Sequence, residues 1–145
     1  MATMNTYLNF MGNTEEVFNF YKSVFGGEFA GLMRFKDYPD ACKDVPAADQ
    51  NKIIHVALPI GKNNLLMGTD ALESLGQKLI IGNNISISLN VDSEKEADTL
   101  FNKLGAGGNV GMPLMKMFWN AYFGMVTDKF GIQWMVNYDY NQSAK

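Results

Sequence analysis

One histidine and a row of small polar residues at alternating positions are the groups in this 145-residue chain whose types and spacing could do chemistry. His55 lies in Ile53–Gly61 (IIHVALPIG), where a period of two puts Ile53 and Ala57 on its face and Ile54, Val56 and Leu58 on the other. The second set is the better face for a covering helix. His55 is therefore expected to point into an open cleft, as a general base or hydrogen-bond anchor near neutral pH. The plainer reading is a ring satisfied by a backbone carbonyl. In Asn84–Val91 (NISISLNV) the residues Ile85, Ile87, Leu89 and Val91 share a face and leave Ser86, Ser88 and Asn90 opposite. In Ile132–Tyr138, Gln133, Met135 and Asn137 face away from Ile132, Trp134 and Val136. The two sets make a strip that could orient a small ligand by hydrogen bonds, or an ordinary solvated sheet face.

Phe118, Trp119 and Tyr122 fall near Met112, Met115, Met117 and Met125. Thioethers fill irregular space and an aromatic ring beside them can stack on a planar ligand. The same composition also suits a core or a dimer interface. Ser86, Ser88, Trp119, Met135 and Asn137 are the expected ligand-binding residues, with His55 as the catalytic candidate. Cys42 stands between Asp40 and Asp44, which disfavour a thiolate, so it is no expected nucleophile. Arg34 could meet an anion with both its donors, but an exposed strand arginine is the simpler reading.

The elements that must carry these residues come in two similar sets. Thr6–Phe10 reads as a strand, Asn13 and Glu16 as a helix start, and Val17, Phe20, Tyr21, Val24 and Phe25 as a helical stripe ending at Gly26-Gly27. Strands follow at Glu28–Phe35, Ile53–Gly61 and Asn63–Asp70. Between the first two, Lys36–Lys52 is a long polar loop of the kind used as a lid, an interface or a mobile segment. After Ala71–Asn83 the pattern returns: the strand Asn84–Val91, a capping box at Ser93 and Glu96, and a helix with Ala97, Leu100, Phe101 and Leu104 inward. Val17 to Ala97, Phe20 to Leu100, Tyr21 to Phe101 and Val24 to Leu104 all differ by 80 positions. The last strand pair turns through Thr127–Gly131, where Gly131 supplies the positive φ of a tight hairpin. Each half reads strand, helix, three strands. A duplicated unit covers one sheet face with its helix and leaves the other for a partner unit, so a curved mixed sheet around a cleft is expected.

Bulk properties narrow the function classes. Hydrophobic content of 47% supports a packed core. The formal charge of −3 and scattered basic residues argue against nucleic acid. No apolar run approaches a bilayer span, and MATMNTYLNF lacks the charged start and apolar run of a secretion signal. With a single cysteine, these features lead to an expectation of a cytoplasmic protein that touches neither membrane nor nucleic acid.

The segments YLNFMGNTEEVFNFYKSVFGGEF, RF, IIHVALPIG, LLMGTD and VGMPL through FWNAYFGMVTDKFGIQWMVN resemble PhnB-like proteins of the glyoxalase/bleomycin-resistance/dioxygenase (vicinal oxygen chelate) superfamily, from about Thr6 to Tyr138. The helix ending FYKSVFGG is shared across that superfamily, whereas the MPL…FW…FG…D.FGI.WM.N pattern is particular to the PhnB-like branch. The resemblance implies an α+β fold of two tandem β-α-β-β-β modules in one domain, module one about 5–70, a linker 71–83 and module two about 84–140. It also implies a homodimer. Some members carry a 3-demethylubiquinone 3-methyltransferase label. That activity needs a cofactor site, usually a Gly-rich turn after a strand, whereas Gly105–Gly108 here follows a helix.

In metal-using members of the superfamily, His, Glu or Gln ligands come from the first and last strands of each half. Aligned by the helix starts, those places fall near Thr6, Met67, Ser86 and Met135, none a strong ligand for Zn, Ni, Mn or Fe. The expectation is a metal-free protein with no cofactor that binds or sequesters a small molecule. The alternative is a metal-dependent lyase or dioxygenase of the superfamily type.

Overall fold

The structure is a computed structural model and describes residues 1–144. The chain divides into two compact units with the boundary between Ile80 and Ile81. The first holds β1 (Thr6–Phe10), α1 (Thr14–Phe25), β2 (Gly31–Arg34), β3 (Ile53–Ile60) and β4 (Asn64–Asp70). The second holds β5 (Ile87–Asn90), α2 (Glu94–Gly105), β6 (Asn109–Met117), β7 (Ala121–Thr127) and β8 (Gln133–Asp139). The sheet orders are β1-β4-β3-β2 and β5-β8-β7-β6, and in each sheet only the first pair is parallel. This is an α+β fold of two tandem β-α-β-β-β modules, and topology repeats with the sequence pattern. Among the described residues no helix is long and apolar enough to cross a membrane.

Each helix covers one face of its own sheet. On α1 the buried stripe is Val17, Phe18, Tyr21 and Val24, packed on β3 and β4. Phe18, absent from the sequence-derived stripe, is fully buried, while Phe20 and Phe25 stay partly exposed. Phe18 fits because Gly68 on β4 leaves room for its ring. On α2 the stripe is Ala97, Phe101 and Leu104, with Leu100 at its edge.

The two helix starts differ. Ser93 Oγ accepts from Glu96 N at 3.0 Å, and the Glu96 carboxylate accepts from Asp92 N at 3.4 Å, close to the expected capping box. Asn13 makes no side-chain cap bond. Instead Asp70, buried at the end of β4, accepts from Thr14 N at 2.9 Å, and Thr14 Oγ1 donates to the Thr69 carbonyl at 2.9 Å. Asp70 also accepts from Ile53 N at 2.7 Å. A carboxylate at the positive end of α1 thus ties helix, β3 and β4 together.

The Lys36–Lys52 segment is largely exposed but pinned by three buried residues, Cys42, Val45 and Asp49. Turns at Phe35–Asp37 and Ala47–Asp49 shape it, and Cys42 and Val45 are buried with Phe35 and Leu72 in a satellite core that Ile54 joins. Arg34 is anchored as well, donating to the Asn51 carbonyl at 2.7 Å and pairing with Glu15. Two strands are shorter than their sequence pattern: Gly31–Arg34 forms of Glu28–Phe35, and Ile87–Asn90 of Asn84–Val91.

Candidate functional site

In the second unit the strip drawn from the sequence is physically continuous. Along β8, Trp134 and Val136 are buried towards α2, whereas Gln133, Met135 and Asn137 are partly exposed on the other face. Register places Ser88 beside Met135 and Asn90 beside Asn137 on one side. On the other side Met125 and Phe123 stand opposite Met135 and Asn137. Asn137 Nδ2 donates to Asn90 Oδ1 at 3.1 Å, and Gln133 Nε2 to the Ile85 carbonyl at 2.7 Å. Ser86 is partly exposed just before β5, in phase with Ser88.

Trp119 sits in the turn between β6 and β7. Asn120 takes a positive φ of 64° there, a conformation asparagine tolerates, and the turn closes through Asn120 N to the Met117 carbonyl at 3.1 Å. Asn120 is anchored in turn by its amide to Asn141 Oδ1 at 3.0 Å and by its carbonyl to Tyr140 N at 3.1 Å. Trp119 is 47% exposed and meets the edge of Phe123 at 5.8 Å between ring centroids. The expected residues Ser88, Met135 and Asn137 therefore share a face, and Trp119 borders it through Phe123.

His55 belongs to the first unit. It is half-buried on β3, and its Nδ1 lies 3.1 Å from the Tyr7 hydroxyl, with ring centroids 5.7 Å apart. A side chain, not a backbone carbonyl, is its partner. Met33 stands opposite His55 and accepts from the Tyr38 hydroxyl at 2.8 Å. Tyr7 was the residue most easily missed. Its signal is the alternation of Thr6–Phe10, which sets Tyr7 and Asn9 against Leu8 and Phe10.

The alignment by helix starts slips at the strands. Thr6 pairs with the buried Leu66, and it is Tyr7 that stands beside Met67. Likewise Ser88, not Ser86, stands beside Met135. The places where the superfamily would set ligands thus present a phenol, a hydroxyl and two thioethers. This is not a donor set for Zn, Ni, Mn or Fe, which want imidazole, carboxylate or thiolate. Among the described residues no three His, Cys, Asp or Glu side chains converge.

Acids on α2 meet Tyr122 of β7 and Tyr140, which opens the turn after β8. Tyr122 donates to Asp98 at 2.7 Å, and that bond, with burial behind it, pushes the phenol up to about 12. Tyr140 bonds Glu94 and is also pushed up to about 12, by burial first and then by that carboxylate. Both phenols stay protonated at neutral pH, so neither is a nucleophile.

Comparison with known proteins gives a consistent picture. The family model described as 3-demethylubiquinone-9 3-methyltransferase matches residues 2–137. A Pseudomonas aeruginosa protein, PA1353, has a crystal structure at TM-score 0.82 and 41% identity, covering 96% of this chain and 98% of its own. Protein YjdN of Escherichia coli K12 is 30% identical over 141 residues, 92% of this chain and 93% of that one. A Bacillus cereus structure described as a putative 3-demethylubiquinone-9 3-methyltransferase, PhnB protein, follows at TM-score 0.75 and 25% identity, with 94% and 99% covered. The fold alone recurs in a glyoxalase/bleomycin resistance protein/dioxygenase family enzyme from Burkholderia phytofirmans, at TM-score 0.57 and 16% identity over 92% and 96%.

Proposed function

This chain belongs to the PhnB-like family, whose model is described as 3-demethylubiquinone-9 3-methyltransferase, within the glyoxalase/bleomycin-resistance/dioxygenase superfamily, and we propose that it binds or sequesters a small, partly aromatic molecule without a metal ion. The observation that carries this reading is the face of the second sheet. Ser88, Asn90 and Asn137 offer hydrogen bonds next to Met135 and Met125, and Trp119 with Phe123 provides a ring edge and an exposed indole. Polar groups that orient and soft apolar surface that adapts are what a small planar ligand needs. His55 with Tyr7 is the corresponding polar pair of the first module.

Methyl transfer is not part of this reading, because the Gly105–Gly108 glycines serve the fold. Gly107 has a φ of +75°, and a Cβ on Gly108 would fall 2.2 Å from the Thr127 carbonyl oxygen. The loop ends α2 and lets the β7–β8 turn approach; it does not follow a strand as a nucleotide-cradling loop would. The same proposal includes a homodimer in a reducing compartment. Val110 and Met115 on the edge strand β6, and Phe118 beyond it, are exposed, and the one cysteine, Cys42, is free.

Elemental analysis of purified protein, with thermal unfolding in Zn²⁺, Ni²⁺, Mn²⁺ and Fe²⁺, tests the proposal. A specific site at a hundredfold excess over Kd adds about 2.7 kcal/mol. No stoichiometric metal and no such gain are expected. A stoichiometric bound metal would turn the reading into a metal-dependent lyase or dioxygenase.

A further inference from the structure

The first unit holds a half-open pocket of about 380 Å³ that the ligand face of the second module does not share, since every residue lining it lies between Asn9 and Leu79. That volume falls in the range of small-molecule sites. Its floor is apolar: Phe35 and Leu72 are buried, and Leu75 and Leu79 lean over it with partly exposed side chains.

A short exposed strap borders one side and is cross-bonded to Leu72. Leu72 N donates to Gln77 Oε1 at 2.6 Å, and Gln77 N to the Leu72 carbonyl at 3.2 Å. Gly76 takes the left-handed φ of 76° that lets the strap return. The wall is therefore formed before any ligand arrives, which lowers the ordering cost of binding.

The polar side chains at this cavity supply three donor groups, the Asn9 and Gln77 amide nitrogens and the Lys78 ammonium, beside two acceptors, Thr69 and Asp70. Gln77 spends its oxygen on Leu72 N, so its Nε2 remains. Thr69 has given its proton to the Ile54 carbonyl at 2.7 Å. The Asp70 carboxylate, also in the lining, accepts from the Thr14 and Ile53 amides, one on each oxygen. Among the described residues neither the Asn9 side-chain amide nor the Lys78 ammonium has a hydrogen-bond or ion-pair partner. One cation and two amide donors above an apolar floor select a ligand with anionic oxygens and an apolar body. We propose that this cavity is a binding site for a small amphipathic carboxylate, its body against Phe35, Leu72, Leu75 and Leu79 and its carboxylate towards Lys78, Asn9 and Gln77.

Titration calorimetry with octanoate, which lacks the aromatic ring the second-module face would take, and with octanamide as the uncharged counterpart, tests this on the full chain. The carboxylate should bind one to one and the amide at least tenfold more weakly. Lys78→Ala should weaken the carboxylate at least tenfold, and Asn9→Ala about threefold. Ser88→Ala and Trp119→Ala should leave it unchanged, and amide resonances that shift on binding should be those of Asn9, Thr69 and the Leu72–Leu79 strap. Lys78 and Asn9 are exposed, so these variants keep the fold. The proposal is overturned if binding does not saturate below millimolar concentration, if Lys78→Ala binds as the parent does, or if Trp119→Ala removes the binding. The first two results leave the second-module ligand face standing, and the third moves the probe onto it.

Discussion

The Trp134 indole N–H donates to the Asp128 carboxylate at 2.9 Å, and both residues are buried, at 1% and 3% exposure. The other Asp128 oxygen accepts from Phe130 N at 2.9 Å and Ile132 N at 3.1 Å, so one side chain builds the β7–β8 turn and anchors the largest core residue. Asp128→Ala leaves those donors without their acceptor inside the fold. The expected loss is roughly 3 kcal/mol, since each stranded buried donor costs about 1–3 kcal/mol and part of the turn can recruit water. Asp128→Asn keeps one acceptor oxygen and should lose about half as much. Urea unfolding reads both, as a lower midpoint at unchanged m-value; a shift below 1 kcal/mol for alanine would refute the anchoring role.

Two glycines meet helix aromatics in the same way in the two units. A Cβ on Gly68 would fall 2.6 Å from Phe18 Cε2, and one on Gly124 would fall 2.8 Å from Phe101 Cε2 and 3.0 Å from Leu114 N. Overpacking of this kind costs typically 1–3 kcal/mol. Gly68→Ala should destabilise in that range, and Gly68→Ala with Phe18→Leu should recover part of the loss, because the conflict is with a side chain. Gly124→Ala should resist rescue by Phe101→Leu, because backbone also stands in the way. Thermal unfolding of the four variants decides it.

Local patterns made the modules legible, and tertiary partners explain what was not. Stripes of period 3.6, the Ser93 cap and a glycine at 131 with φ of 93° are set by nearby residues; they recur, with Phe18 replacing Phe20 and Phe25 in the buried stripe of α1 and Glu96 bonding Asp92 N in place of Ser93 N. The cap of α1 could not be read locally, since its carboxylate comes from Asp70, 56 positions beyond Thr14. The Lys36–Lys52 loop, read as a lid, an interface or a mobile segment, has no period to show that Cys42 and Val45 bury with Phe35 just before it and with the distant Leu72. The site was read one residue out of step in the first strand of module one, Thr6 for Tyr7, and two out of step in module two, Ser86 for Ser88. The helices repeat at 80 positions, but Tyr7 and Ser88, the strand residues beside Met67 and Met135, differ by 81. A shift of one turns a strand residue to the opposite face, so Tyr7 replaces Thr6.

Asp49 links the Lys36–Lys52 loop to the strap. It pairs with Lys52 at 2.7 Å and accepts from Ser74 Oγ at 2.6 Å, and these bonds, Lys52 first, hold its carboxyl below the ordinary aspartate value. A depressed folded value means the contribution is complete above the unfolded pKa, about 3.9, and is lost as pH falls through the folded one. Asp49→Asn should therefore lose stability at pH 7 but show a shallower decline below about pH 4 than the parent. Urea midpoints of both proteins at pH 7 and pH 3 check this. Equal acid slopes would show that the pair adds nothing to pH dependence.

His55 and Tyr7 are joined by a hydrogen bond between half-buried and exposed rings, with no charged partner in the contact. Such a bond contributes about 0.5–1.5 kcal/mol, at the low end when water can replace it. His55→Ala and Tyr7→Phe should each cost less than about 1 kcal/mol in urea unfolding. A loss of several kcal/mol on His55→Ala would mark a core residue and remove it from the candidate site.

The two tryptophans provide an optical test of the ligand face. Trp134 is buried against Asp128, whereas Trp119 is 47% exposed beside Phe118 and Phe123. An exposed indole emits at longer wavelength and is open to small quenchers, so iodide should quench the red side of the emission and spare the blue side. Trp119→Phe should remove that component and leave a blue, protected spectrum from Trp134. A planar aromatic ligand seated at Ser88, Met135 and Asn137 would reach Trp119 by way of Phe123, which faces Asn137 across the register. Such a ligand should protect the red component from iodide, and Trp119→Ala should weaken its binding by the 0.5–1.5 kcal/mol typical of an aromatic pair, roughly two- to thirteenfold. Ligands that bind yet leave iodide quenching of Trp119 untouched would place the aromatic site elsewhere.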